Sequence, residues 1–396
     1  MAPIPRLKAY DGPAILSYGF RPFFFAGAFF AALAIALWLP QFFGELSLPN
    51  AFAPPVWHAH EMLFGFAPAI VTGFLLTAIP NWTGRLPLQG APLLALLLAW
   101  LAGRTGVAAS GAIGWAPAMI LDCAYLLILG LVIGREVVAG KNWRNLKVLA
   151  IIAMLFAANV AFHIEAHATG AANYSERSAI AAIVALVMLI GGRVTPSFTR
   201  NWLVRENPGR LPGSADRFDA AFVLVSVTAL AAWIAAPDAL ATAAAMLVAA
   251  AAQTIRLSRW VGWRAWRDPL VLVLHVAYLF IPIGFVLQAC AIFHPELAPP
   301  SAGIHTWTIG AVGGMILAVM TRATLGHTGR ALKASRATVL IYIATAVSAL
   351  ARVAAALDPQ RSFELLHLAA AGWIVAFAGF AAIYGPYLAR PRRRTP

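Results

Sequence analysis

The chain has 396 residues, of which 61% are hydrophobic and 11% charged, with a formal net charge of +14 and a mean hydropathy of +0.78. A soluble domain carries about a quarter charged residues, so a water-soluble globule is excluded, and the lack of polar–apolar alternation excludes an outer-membrane barrel. The positive charge sits in short segments between apolar runs rather than on one polar face, which argues against nucleic acid and for the lipid bilayer as partner.

The opening segment, MAPIPRLKAYDGPAILSYGFRP, lacks a short apolar core followed by a small-residue cleavage site, so it is expected to stay attached on the cytoplasmic surface. Apolar runs of spanning length, roughly 17–25 residues, then follow at 19–39, 57–79, 92–110, 115–138, 146–166 and 179–198. Six more follow at 218–236, 240–257, 270–292, 303–325, 337–357 and 365–387. The expected fold is all-α, a polytopic membrane helix bundle of about twelve transmembrane helices in a single transmembrane domain.

Charge orients it. With the N-terminus inside, the inner segments collect Arg6, Lys8, Arg21, Arg85, Arg135, Lys141, Arg144 and Lys147. They go on to collect the arginines from Arg193 to Arg217, Arg256 to Arg267 and Arg322 to Arg336 with Lys333, and the tail Arg390, Arg392, Arg393 and Arg394. The outer segments hold only Arg104, Arg177, Arg352 and Arg361, so both termini are expected in the cytoplasm.

A faint repeat accompanies this order. Phe20-Arg21, Trp143-Arg144 and Trp266-Arg267 open the first, fifth and ninth helices at an interval of 123 residues. His60 precedes Arg85, and His305 precedes Arg330, by the same 25 residues. The reading is three four-helix units, 19–140, 141–262 and 263–390. Trp and Arg anchors, which recur at helix ends, are the alternative account.

Histidine placement points to chemistry. His58 and His60 stand with Glu61 at the outer end of the second helix; being two apart, they do not share a face. His163 and His167, near the outer end of the fifth, are four apart and share one, which suits a common metal. His305 opens the tenth helix. Imidazoles from different helices at one depth can converge in a bundle core, so His58, His60, His163, His167 and His305 are candidate metal ligands. Glu61 and Asp122 are candidate proton carriers. His294 and His367 need no more than a wet interface, and His275 and His327 fall on the inner half.

That inner half carries three polar clusters: Asn81, Trp82, Thr83 and Arg85; Arg193, Thr195, Thr199, Arg200 and Asn201; and Arg322, Thr324, His327, Thr328 and Arg330. Arg193 and Arg322 read as the deepest. Such a ring suits haem propionates, an anion or lipid headgroups, while positive-inside anchoring accounts for Arg85, Arg200 and Arg330. Gly310, Gly313 and Gly314 allow close packing or room for a flat cofactor, with packing the simpler reading. Cys123 and Cys290 fit no zinc or CxxC spacing, and no phosphate loop, dinucleotide fingerprint or nucleophile elbow occurs. Without CxxCH, any haem must be b-type.

The stretches WHAHEMLFGFAPAIVTGFLLTAIPNWTGR, GGRVTPSFTRN and HTWTIGAVGGMILAVMTRATLGHTGR, with the opening YGFRPFFFAGA, resemble the NnrS family from the first helix to the tenth. The resemblance implies a bacterial inner-membrane protein containing haem and copper, linked to nitric oxide metabolism and nitrosative-stress defence. Its motif histidines fall on His58, His60, His305 and His327, and its motif arginines on Arg193, Arg322 and Arg330. His163 lies in a less distinctive, family-like region. The resemblance does not divide these residues between haem and copper.

Nitric oxide is small, neutral and lipid-soluble, and both haem iron and copper bind it. Turning it over as an oxidoreductase also needs an electron donor, a quinol or a periplasmic carrier. Two other classes stay open: a transporter of copper, haem or a small anion, and an accessory factor for a respiratory complex.

Overall fold

A computed structural model describes residues 10–213 and 216–393, leaving the side chains of Asn81 and Trp82 outside the description. Arg6, Lys8 and Arg394 of the charge reading, with those two side chains, lie outside the described residues. Among the described residues there is no strand, and twelve helices are long and apolar enough to cross a membrane. They are α1 Phe20–Phe42, α2 Pro54–Pro80, α3 Ala91–Ala108, α4 Trp115–Ala139, α5 Trp143–Thr169 and α6 Asn173–Glu206. The second six are α7 Arg217–Ala235, α8 Leu240–Arg264, α9 Pro269–Phe293, α10 Pro300–His327, α11 Arg336–Leu357 and α12 Pro359–Ala389. The chain is a multi-pass, all-helical membrane protein. In hydrocarbon every backbone polar group must be satisfied within its own segment, and long apolar runs meet that demand as helices.

Local sequence sets the ends. Proline begins α2, α9, α10 and α12, where its missing N–H is harmless. Asp268 caps α9 by accepting from Leu270 N at 2.9 Å, and Ser335 caps α11 by accepting from Thr338 N at 3.1 Å. Asp216 and Asp219 form a capping box on α7. Gly84 and Gly329, after α2 and α10, adopt left-handed φ of 71° and 73°, which glycine enters without a Cβ clash.

α2 and α10 each depart from α-helical winding. A π-helical stretch runs over Glu61–Phe66, directly after His60, and another over Thr306–Gly313, directly after His305. Such widened turns often mark functional positions.

The chain divides into two compact units. One comprises Met1–Ala179, Thr324–Arg330 and Ala381–Pro396. Within it α2 packs on α1 and α4, α3 on α4, and α4 on α5. Arg21 donates to the Leu388 and Arg390 carbonyls at 2.7 Å each, tying the start of α1 to the end of the chain.

The other unit comprises Ile180–Ala323 and Ala331–Phe380, with α7 on α8, α8 on α9, α9 on α10 and α10 on α11. Its buried Arg256 is paired: Nε donates to Asp219 at 3.1 Å, and one terminal nitrogen donates to the Met188 carbonyl at 2.9 Å and the Tyr278 hydroxyl at 2.6 Å. Leu131, Leu224, Leu240 and Leu350 are well exposed, as a lipid-facing surface requires.

Candidate metal centre

The first unit holds a polar cluster inside an apolar bundle. α2 supplies His60 and Glu61, α3 Arg104, α4 Asp122, and α5 Asn159 and His163. Each of these side chains is buried, His60 and Asn159 completely. Buried charge persists in such a place only when paired and hydrogen-bonded, and here it is. Arg104 donates to Glu61 Oε2 at 2.6 Å and, through its other terminal nitrogen, to Asp122 Oδ1. Asn159 Nδ2 donates to Asp122 Oδ2 at 2.8 Å.

Two imidazoles complete the cluster. His60 Nδ1 lies 3.1 Å from Glu61 Oε1, and its Nε2 lies 3.1 Å from Asp122 Oδ2 and 3.2 Å from Asn159 Oδ1. His163 Nε2 lies 3.1 Å from the same Asp122 Oδ2. The ring centroids are 4.8 Å apart. One ligand atom each from His60, Asp122 and His163 falls within 4.8 Å of the others, so this His–Asp–His set could bind a metal ion.

Two observations bear on that fit. With its proton on Nδ1, His60 donates to Glu61 and turns a basic Nε2 toward two acceptor oxygens, an arrangement that a cation relieves; carboxylate–histidine–metal relays have this form. His163 Nδ1 is buried with no hydrogen-bond partner among the described residues, which an added ligand or water would supply.

The sequence arranges this approach locally. Gly65 lies in the π-helical stretch, and a Cβ there would sit 2.7 Å from an Arg104 terminal nitrogen and 3.0 Å from Glu61 Oε2. Its carbonyl accepts from Trp100 Nε1 at 2.9 Å. A Cβ at Gly103 would sit 3.0 Å from the Asp122 Cα. The two glycines thus let α3 reach both acids.

Aromatic rings close the cluster off. Phe52, Phe64 and Phe162 lie 5.2, 5.3 and 5.2 Å from the His60 ring, and Phe52 lies 5.4 Å from the His163 ring. Phe52 comes from the α1–α2 connection. That segment is pinned by Ala51 N donating to Ser110 Oγ at 2.8 Å and Gly111 N donating to the Pro49 carbonyl at 3.0 Å.

The remaining candidates lie elsewhere. His58 stacks on Trp38 at 4.3 Å. His167 is exposed and stacks on Trp115 at 4.4 Å, although it shares a helix face with His163. His327, also exposed, lies 5.9 Å from the Tyr18 ring and 5.3 Å from the Phe20 ring. Arg330 lies over Tyr387 at 3.8 Å.

In the second unit, His305 Nδ1 donates to the Ser301 carbonyl at 2.8 Å. Arg322 is buried over Phe198 at 4.1 Å, whereas Arg193 is exposed. Thr199 and His275 are hydrogen-bonded at 2.8 Å. The glycine stripe is filled: a Cβ at Gly310 would strike Phe280, one at Gly313 would sit 2.8 Å from Trp373, and one at Gly314 would sit 3.0 Å from Ala277. Those contacts are close packing.

Sequence reasoning missed Arg104, Asn159 and Phe52. Arg104 enters the sequence reading only as an outer charge, and α3 holds it four residues before its end at Ala108. The signal was present: an arginine inside an apolar run that holds no acid must find its carboxylate on another helix.

Searching curated proteins gave no match. A family model described as NnrS protein matches residues 14–392, nearly the whole chain. With twelve membrane helices and a buried His–Asp–His set in its first unit, the chain belongs to the NnrS family.

Proposed function

We propose that this chain is a bacterial inner-membrane protein of the nitric oxide response, with both termini cytoplasmic, whose His60, His163 and Asp122 side chains hold a transition metal, copper by family resemblance. Family membership suggests the nitric oxide role. The observation that carries the metal reading is the convergence of two imidazoles and a carboxylate from three helices in a buried cluster.

A transition metal bound there supplies a coordination position for nitric oxide. The chain's own residues do the rest. Glu61 orients His60 through Nδ1, Asn159 and Arg104 fix the Asp122 carboxylate, and Phe52, Phe64 and Phe162 exclude water while admitting a small neutral gas. Glu61, beside His60 and not itself a ligand, is the acid through which a proton would reach the centre, if the bound gas is reduced with electrons from a quinol or periplasmic carrier.

Haem b is a different matter. A cavity of about 460 Å³ in the first unit is lined by Leu76, Ile79, Arg85, Val132, Arg135 and Glu136 among others, with no histidine among the described residues of its wall. It offers iron no axial nitrogen, and both arginines are paired with Glu136. Haem does not fit there.

The test is metal analysis with nitric oxide titration of the purified protein, read by electron paramagnetic resonance and absorption. One metal per chain and its nitric oxide signal are expected to disappear in His60→Ala and His163→Ala and to persist in His167→Ala. Wild-type metal content in the first two variants would overturn the reading. Steady anaerobic loss of nitric oxide with a reductant identifies an enzyme; binding without turnover identifies a binder.

A further inference from the structure

The cavity that takes no haem stands apart from the metal cluster. Glu136 on its wall lies fourteen residues beyond Asp122 along α4, about 21 Å of helix. α2 ends at Pro80, the chain turns through the left-handed Gly84, and the segment Arg85–Leu88 lines the cavity together with Val132, Arg135 and Glu136 of α4. The next residues are pinned. Gln89 Nε2 donates to the Ser17 carbonyl at 2.6 Å, and Gly90 N donates to the Leu16 carbonyl at 3.0 Å. The space is therefore preformed, and little ordering of the protein opposes a ligand that enters it.

The charged groups of the wall, among the described residues, are Arg85, Arg135 and Glu136, a net charge of plus one. Glu136 Oε2 accepts from Arg85 Nε, and its Oε1 accepts from Arg135 Nε at 3.0 Å and from one Arg135 terminal nitrogen at 2.7 Å. Both carboxylate oxygens are thus engaged along the Nε edges of the arginines. Both terminal nitrogens of Arg85 and the second of Arg135 make no hydrogen bond among the described residues, and the two side chains are 44% and 65% exposed. Guanidiniums anchored by one edge present the other to an anion, and their paired N–H groups match the oxygens of a phosphate.

The apolar walls decide between phosphates. Leu76, Ile79, Leu86, Leu88 and Val132 line the same space, and inorganic phosphate gains nothing from them. On α4, Ile128, Leu131 and Val138 are exposed, and at helical spacing they share a face with Arg135. That guanidinium therefore stands on the lipid-facing stripe, close to the helix end at Ala139. A zwitterionic headgroup would set an ammonium beside two guanidiniums whose one carboxylate is already engaged.

We infer that this cavity binds an anionic phospholipid, its phosphodiester between Arg85 and Arg135 and its acyl chains along the Leu76, Ile79 and Val132 surface. In the orientation proposed above, the lipid comes from the cytoplasmic leaflet, where basic residues beside membrane helices meet anionic headgroups. One bound lipid bridges the end of α2 to α4, the helices that also carry His60, Glu61 and Asp122.

The experiment uses the full-length protein, delipidated in detergent, to which phosphatidylglycerol, phosphatidylethanolamine or inorganic phosphate is added. Retained lipid is read by native mass spectrometry, and stabilisation by thermal unfolding. Wild type is expected to hold one phosphatidylglycerol about fivefold or more tightly than phosphatidylethanolamine with the same chains. Inorganic phosphate at equal concentration is expected neither to displace that lipid nor to reproduce its thermal shift. Arg85→Gln and Arg135→Gln should each weaken phosphatidylglycerol by about fivefold. Arg144→Gln, at an exposed arginine outside the cavity, should leave it unchanged. Val132→Trp, which fills the cavity and keeps both arginines, should abolish the tightly held lipid.

Equal retention of the two lipids by wild type would overturn the inference, and that result needs no variant to fold. An equal loss in Arg144→Gln would do the same, by showing a general basic surface in place of a site. So would wild-type retention in folded Val132→Trp. Displacement of the lipid by inorganic phosphate would overturn the lipid as occupant. None of these outcomes bears on the metal cluster, whose own test is metal content.

Discussion

Removing the Asp122 carboxylate tests whether the cluster acts as one unit. Asp122 accepts from Arg104, from Asn159 at 2.8 Å, and lies 3.1 Å from both imidazole Nε2 atoms, all buried. Taking one partner from a buried ion pair costs about 3–5 kcal/mol, because the other charge is stranded. In Asp122→Ala, Arg104 keeps Glu61, so the loss should sit near the lower end, about 3 kcal/mol. Arg104→Ala strands two carboxylates and should cost about 4–5 kcal/mol. The double variant removes the opposed charges together. Its loss should therefore fall short of the sum by about 2 kcal/mol, within the range seen for directly coupled residues. The assay is unfolding by sodium dodecyl sulfate in mixed micelles, followed by circular dichroism on the metal-free protein. Single hydrogen bonds in membrane proteins average only about 0.6 kcal/mol, so independent weak contacts would give near-additive values. Additivity within about 0.5 kcal/mol would refute the claim that these charges depend on one another.

Three further outcomes are expected. Gly65→Ala should destabilise by about 1–3 kcal/mol by forcing the guanidinium off Glu61, whereas Gly134→Ala, where a Cβ would meet Leu149 at an ordinary 3.6 Å, should change stability little in the same unfolding assay. Phe52→Ala should speed both metal loading and removal by a chelator, with a smaller change in equilibrium affinity, read by stopped-flow; equal rates would show that the ring does not guard the site. Asp216, beside α7, has its carboxyl held below the ordinary range first by the Arg259 hydrogen bond and then by Asp219 N. A lowered folded value means stability that is present at neutral pH and lost as pH falls through that value, so Asp216→Asn should flatten the acid limb of a stability–pH curve.

The sequence by itself determined the membrane class, the number of helices and most of their limits to within a few residues, the longest, Asn173–Glu206, running six and eight residues past the expected 179–198. The reason is local: a run such as 115–138, observed as Trp115–Ala139, declares its solvent through its own composition, and backbone satisfaction in lipid then demands a helix. It also identified His60, His163, Glu61 and Asp122 as residues out of place in apolar surroundings. It did not pair them. His163 and His167 share a helix face, yet one is buried against Asp122 and the other stacks on Trp115 at the surface. What separates them is depth against α4, a property of the packed helices and not of four-residue spacing. Arg104 reads in sequence only as one of the few outer charges, and α3 places it between Glu61 and Asp122. Those two acids are 61 residues apart in the chain, and only the tertiary structure, through the bare backbone at Gly65 and Gly103, decides that one guanidinium reaches both.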